Sequence, residues 1–143
     1  MTAPAIPTLP AHGAAIPALG FGTSPMTGAI AADTILAALK SGYRHIDTAR
    51  KYGSERAVGE AMRASGVPRS DIFLTTKVSH EYLRAKDFAR SVDESLAALK
   101  VDYVDLLLVH WPNPEIAVRE YLGLVAYRIS GRTSELFPGP NPQ

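Results

Sequence analysis

Proline placement marks out the part of this chain that can be regular. Of eleven prolines, five fall in the first 25 residues and five follow His110, so Pro68 alone interrupts the stretch between Pro25 and His110. Proline lacks the amide donor that helix interiors and central strands use, so periodic structure is confined to this proline-poor middle. Within it, strand-like and helix-like segments alternate, which is the signature of parallel βα units.

Four units are counted. Residues 18–23 (ALGFGT) read as a short glycine-punctuated strand, followed by an alanine-rich helix over 30–41 that Gly42 stops. Residues 43–48 (YRHIDT) are the second strand. The helix after it is capped by Ser54, carries Val58, Ala61, Met62 and Ser65 on one face, and ends at Gly66. Residues 71–78 (DIFLTTKV) are the third strand, entered through the turn signals Gly66, Pro68 and Ser70. Its helix starts near Asp87 and repeats apolar residues at Phe88, Val92, Leu96 and Leu99. Residues 103–110 (YVDLLLVH) are the fourth strand, nearly apolar on both faces as a helix-covered parallel strand should be.

Ahead of these units, residues 6–17 suggest a small hairpin across His12-Gly13 that covers one end of the sheet. After Trp111 the pattern deteriorates. Residues 115–128 have the length of a helix but little polar face, and the Pro/Gly run from Phe137 has no periodicity. The expected organisation is one α/β domain over 1–116 and a divergent tail over 117–143, helix first and then disorder.

Composition narrows the function classes. A chain of 143 residues with 46% hydrophobic and 20% charged residues has material for a core, and a net charge of +1 gives no nucleic-acid footprint and no polybasic membrane patch. The absence of cysteine excludes disulfides, thiolate nucleophiles and cysteine-ligated zinc or iron–sulfur sites. No signal-like segment opens the chain, and Asp105 breaks the apolar run 103–109, which falls far short of the roughly 20 residues a membrane span needs. A soluble, cytoplasmic protein with a small-molecule partner is the expectation.

In parallel βα arrays the chemistry sits at the carboxyl ends of the strands. Asp47 ends the second strand, Tyr52 follows five residues later, Lys77 ends the third, and His110 ends the fourth. A free tyrosine titrates near pH 10, about three units too high for an efficient acid at neutral pH, and an adjacent ammonium stabilises its phenolate. Lys77 is placed to be that ammonium, and Asp47 to keep it charged and oriented. His110 can donate a hydrogen bond to a substrate oxygen while Trp111 forms an apolar wall. Together the four suit protonation of an oxygen that gains negative charge, as in carbonyl reduction.

Each residue also has a plainer reading. Lys77 could be a solvated rim charge, Asp47 a turn cap, Tyr52 a packing aromatic and His110 a structural histidine. A metal site is the competitor within the same architecture, because His45 and Asp47 share a strand face and His110 would add a second imidazole. That reading, a metal-dependent hydrolase, leaves Tyr52 and Lys77 without a role and places His45 below the strand end.

The run Gly42-Tyr43-Arg44-His45-Ile46-Asp47-Thr48-Ala49, followed by Tyr52-Gly53-Ser54-Glu55 and Val58-Gly59, resembles the N-terminal signature of the aldo-keto reductases. Leu19-Gly20-Phe21-Gly22-Thr23, Thr75-Thr76-Lys77-Val78 and Val109-His110-Trp111-Pro112 extend the resemblance over about residues 6–116. It implies a (β/α)8 TIM barrel that reduces aldehydes and ketones with NADPH. Tyr52 would be the general acid, Lys77 and Asp47 would tune it, His110 would orient the carbonyl, and Gly22, Thr23 and Asp47 would lie beside the nicotinamide. Ser24-Pro25 departs from the family, many of whose members carry an aromatic there.

The larger departure is length. A barrel of this type takes about 250 residues, and four βα units are about half of one. The family's Ser-Asn-Phe-type motif and its basic 2′-phosphate motif belong to the second half of the barrel and do not occur here. The expectation is therefore an incomplete NADPH site with weak or absent NADPH binding, and the activity of the shortened chain is left open. Two alternatives stand beside it: a non-enzymatic half-barrel that self-associates through exposed sheet edges or binds a partner, and a vestigial fragment without cooperative folding.

Overall fold

A computed structural model describes residues 6–11 and 13–112. The expected tail over 117–143, its boundary at 116 and His12 lie outside the described residues. The chain opens with an antiparallel hairpin of β1 (Thr8–Ala11) and β2 (Ala14–Pro17), in which Leu9 pairs with Ile16. Four parallel strands follow in sequential order: β3 (Phe21–Gly22), β4 (His45–Asp47), β5 (Phe73–Val78) and β6 (Leu106–Val109). Helices α1 (Gly28–Lys40), α2 (Glu55–Ser65) and α3 (Ala85–Leu99) connect them.

The strands are shorter than their sequence patterns, and the reason is visible in the hydrogen bonds just outside them. Thr23 N donates to Asp47 O, Thr48 N to Thr75 O, Asp105 N to Leu74 O and His110 N to Val78 O, at 2.9–3.0 Å. Pairing thus continues one residue past the carboxyl ends of β3, β4 and β6, and begins one residue ahead of β6. This brings residues after the strands to the same rim.

One face of the sheet is dry. Ile46 and Leu74 are fully buried against Ile35 and Leu39 of α1 and Val58 and Ala61 of α2, and Val78 packs with Leu83, Phe88 and Val92 toward α3. Each of these large aliphatic or aromatic side chains contributes about 1.5–3 kcal/mol on burial. The helix face read from Val58, Ala61 and Met62 is buried, with Ser65 half-buried at its margin. Gly59 lets α2 and α3 meet closely, since a Cβ there would overlap the Leu99 carbonyl.

β6 departs from expectation. Its leucines are half-buried and Leu108 is 41% exposed, so β6 is not covered on both faces. Leu107 and Val109 pack on the helix-side core, whereas the register sets Leu108 beside Lys77 on the opposite face. Among the described residues β6 has one neighbour, β5, and it forms the edge of the sheet. No helix among the described residues is long and apolar enough to cross a membrane.

Candidate active site

Strand periodicity puts His45 and Asp47 on the face opposite Ile46, and the register carries that face to Thr75 and then Lys77 on β5. Lys77 Nζ donates to Asp47 Oδ1 at 2.5 Å and to the Thr48 carbonyl at 3.0 Å. The ammonium also lies 5.2 Å from the centroid of the Tyr52 ring. Tyr52 closes a single 3-10 turn, Arg50–Tyr52, and Gly53 leaves that turn at φ +70°, a conformation open to glycine at no steric cost. Tyr52 therefore lies just before α2, in a turn of its own.

From that turn Tyr52 meets His110 edge-on, with ring centroids 5.3 Å apart. His110 is fixed at the end of β6 by its backbone bond to Val78 and stacks on Trp111 at 4.2 Å, with 26° between the planes. Trp111 is 49% exposed and forms the outer side of the group. Asp47, Tyr52, Lys77, His110 and Trp111 thus converge from three successive strand ends.

Burial pushes the His110 imidazole toward its neutral form, and the nearby charges of Lys77, Lys51 and His80 add to that, against the opposing pull of Asp47. Its Nδ1 is buried and has no hydrogen-bond partner among the described residues. A neutral imidazole keeps one donor and one acceptor, so His110 has polar capacity that no described group of the chain uses.

A second polar cluster, not anticipated from the sequence, lies alongside. The hydroxyls of Thr23, Thr48 and Ser54 bond one another at 2.9, 2.9 and 3.1 Å, and all three residues are fully buried. Ser54 precedes α2 as expected but makes no side-chain cap bond, because its hydroxyl is committed to this cluster. Of the three residues expected beside a cofactor, Asp47 is paired with Lys77, Gly22 borders open space where a side chain would point, and the Thr23 hydroxyl is turned inward. Glu55 was also missed: it is buried, accepts from Thr76 Oγ1 at 2.7 Å, and burial raises its pKa above the usual carboxylate value. Ser54 and Glu55 are hydroxyl and carboxylate residues next to a tyrosine turn, and that is the signal that could have drawn attention to them.

His45 lies apart from His110. Its Nε2 pairs with Thr75 Oγ1 at 3.0 Å, its ring meets Phe73 edge-on, and the Gly20 backbone packs against it, with room for no Cβ. Among the described residues no three His, Asp or Glu side chains gather in a metal-binding group. A cavity of about 650 Å3 lies on the helix side, lined by Arg50, Glu55, Arg56, Glu60 and Glu94 among others, and includes none of the strand-end residues. The converging side chains are separate from this groove, where Arg50 and Glu94 are already paired.

The sequential parallel βα array with polar residues at its strand ends has the arrangement of part of a (β/α)8 barrel. The Aldo/keto reductase family model matches residues 18–130, and the chain belongs to that family. It is 43% identical over 125 residues to methylglyoxal reductase DkgB of Escherichia coli O157:H7, covering 85% of this chain and 47% of that protein. A crystal structure of an aldo/keto reductase from Brucella melitensis superposes with a TM-score of 0.76 at 42% identity, covering 82% of this chain and 45% of that one. A Bombyx mori aldo-keto reductase in complex with NADP superposes at 0.70 and 32% identity, covering 79% and 41%. The chain spans about half the length of the relatives it matches.

Proposed function

We propose that this site reduces the carbonyl of a small aldehyde or ketone with NADPH as hydride donor. The observation that carries the reading is the chain of contacts from Asp47 through Lys77 to Tyr52 and on to His110. Tyr52 Oη gives its proton to the carbonyl oxygen as that oxygen gains negative charge. The Lys77 ammonium offsets the charge then left on the tyrosine, and Asp47 holds the ammonium in place. His110, neutral and with spare hydrogen-bonding capacity, holds the carbonyl oxygen toward Tyr52, and Trp111 supplies an apolar wall.

The residues present fit the nicotinamide end of the cofactor. Gly22 leaves open space at the rim of β3, and Asp47 stands next to it in the ladder. Bound there, NADPH supplies the hydride. Thr23 supports this edge from beneath through its buried hydroxyl. The names of the relatives, a methylglyoxal reductase among them, are consistent with a small carbonyl substrate.

The test is carbonyl-dependent NADPH oxidation by the chain and by Tyr52→Phe. Loss of the phenolic proton should lower the rate about 10²- to 10⁴-fold. The ratio is the readout, so a low absolute rate does not obscure it. Equal rates for the two proteins, or no carbonyl-dependent oxidation by the unmodified chain, overturn the reading.

A further inference from the structure

Residues 48–54 join β4 to α2 and carry the proposed proton donor, Tyr52, in the single turn Arg50–Tyr52. Beyond that turn the connection has no periodic hydrogen bonds of its own, so the place of the Tyr52 ring depends on what holds the two ends. The near end is fixed to β5 by Thr48 N, which donates to Thr75 O at 2.9 Å. Along the turn, Arg50 pairs with Glu94 and lies 5.4 Å from the Tyr82 ring centroid, and Lys51 places its ammonium 4.7 Å from the centroid of the Trp111 ring. Glu94, Lys51 and Trp111 are exposed, and contacts through exposed charges contribute little. At the far end Ser54 turns to Thr23 and Thr48, and Glu55 begins α2.

Glu55 is 5% exposed. Its Oε1 accepts from Thr76 Oγ1 of β5 at 2.7 Å, and its carboxylate also accepts from the buried hydroxyl of Ser95 on α3. Adjacent residues of a strand point to opposite faces, so Thr76 meets the helices while Lys77 reaches Asp47 and lies 5.2 Å from the Tyr52 ring centroid. Tyr52, Gly53, Ser54, Glu55, the hydrogen bond, Thr76 and Lys77 therefore form one closed path, whose two ends meet in the site. The tie on the dry face sets the spacing on the other. Burial raises the Glu55 pKa, against the hydrogen bonds of Thr76 and Ser95 and the charge of Arg50. A buried acid is costly to keep, and a well-packed apolar side chain would avoid that cost, so stability is a poor reason for its presence.

We propose that Glu55 is a positioning residue for the proton transfer: through Thr76 it locks the Tyr52 turn against β5 and so sets the distance between the tyrosine and Lys77. This rests on the carbonyl-reductase reading and adds to it a residue on the opposite face of the sheet from the site. The role is geometric. A glutamine side chain offers the same acceptor oxygen to Thr76 and an amide that can donate to Ser95 Oγ, so the tie needs the shape of the group and not its charge. Alanine offers neither.

The experiment compares the unmodified chain with Glu55→Ala, Glu55→Gln, Thr76→Val and the double variant Glu55→Ala/Thr76→Val. Two readouts are taken: NADPH oxidation with butanal as the carbonyl, and the NMR Overhauser contact between the Tyr52 and His110 rings, whose centroids are 5.3 Å apart. Glu55→Ala should lose about 100-fold in kcat with KM changed less than about threefold, as a displacement of about 1 Å would give, and the ring contact should weaken. Glu55→Gln should keep kcat within about threefold and keep the contact, since its hydrogen bonds persist. Thr76→Val should lose about tenfold, and the double variant no more than Glu55→Ala alone, because both changes remove one tie. Additive losses in the double variant, a Glu55→Gln as slow as Glu55→Ala, or a Glu55→Ala that retains both kcat and the ring contact overturns the inference. Should Glu55→Ala not fold, full kcat and an intact ring contact in Thr76→Val overturn it equally. The two readings fail separately. No Tyr52-dependent oxidation by the unmodified chain sinks the carbonyl-reductase reading, while the ring contact in the variants still decides whether Glu55 sets the position of Tyr52.

Discussion

Thr23, Thr48 and Ser54 are fully buried and spend their hydroxyls on one another, whereas Asp47, Tyr52, Lys77 and His110, only a few residues away along the same strand ends, are half-exposed. The first cluster is closed. Each hydroxyl has partners, as a buried polar group needs in order to offset its desolvation. The second is less closed: among the described residues His110 Nδ1 has no hydrogen-bond partner, and the Tyr52 ring is held by its aromatic and cationic neighbours. The contrast separates polar residues that hold the chain from polar residues with capacity left for a ligand. Thr48 belongs to both, with its hydroxyl in the closed cluster and its carbonyl on Lys77 Nζ.

Lys77→Met gives the largest expected effect on that contrast. It should lower Tyr52-dependent carbonyl reduction about 100-fold or more, because the charge that offsets the phenolate is lost. Stability should change by no more than about 1 kcal/mol, since the Asp47 side chain is 38% exposed and water can solvate it. Rates and urea midpoints measured on the same protein decide this, and a loss of several kcal/mol would show that the open cluster is structural as well. Ser54→Ala should do the reverse. Removing a hydroxyl that two buried threonines share should cost about 1–2 kcal/mol by denaturant titration, with a far smaller loss of rate than Lys77→Met. A neutral effect on stability would mean the closed cluster is not a clamp.

The smallest effect concerns pH. The folded-state pKa of His110 lies below the ordinary 6.5, so the neutral imidazole is favoured and its contribution to stability is present above pH 6.5. That contribution is lost as pH falls through the depressed pKa. An NMR titration of the His110 ring should give a midpoint below 6.5. Lys77→Met should move it up by removing a repelling charge, and Asp47→Asn should move it down. A midpoint above 6.5 would show that burial and the neighbouring cations do not favour the neutral ring.

How far the site was legible can be judged residue by residue. Asp47, Lys77 and His110 come at the ends of strand-like segments, so the carboxyl-end rule for parallel βα arrays puts them at one rim, and Tyr52 follows by its fixed offset from Asp47. Ser54 was misread. As a serine before a helix it has every local mark of a cap, yet Thr23, 31 residues earlier, competes for its hydroxyl and wins. The coverage of β6 was overestimated for a similar reason: a run of leucines reports hydrophobicity but not whether a neighbour lies on each face. Lys51 drew no attention, because a lysine in a turn looks solvated until the direction of the turn and the position of Trp111 are known.

Alternating strand and helix patterns, the glycine stops and the motif around Asp47 and Tyr52 determined by themselves the parallel βα order and the family. Those are properties of local periodicity and of short spacings, which a chain carries in any conformation. Tertiary structure alone decided which hydroxyls close on one another, that the His110 ring stacks on Trp111, and that Lys51 rests on Trp111, 60 residues further along the chain. The physical reason is that hydrogen bonds and cation–π contacts depend on ångström-scale distances between residues far apart in sequence, and these are set only when the strand register and the single turn at Arg50–Tyr52 have formed.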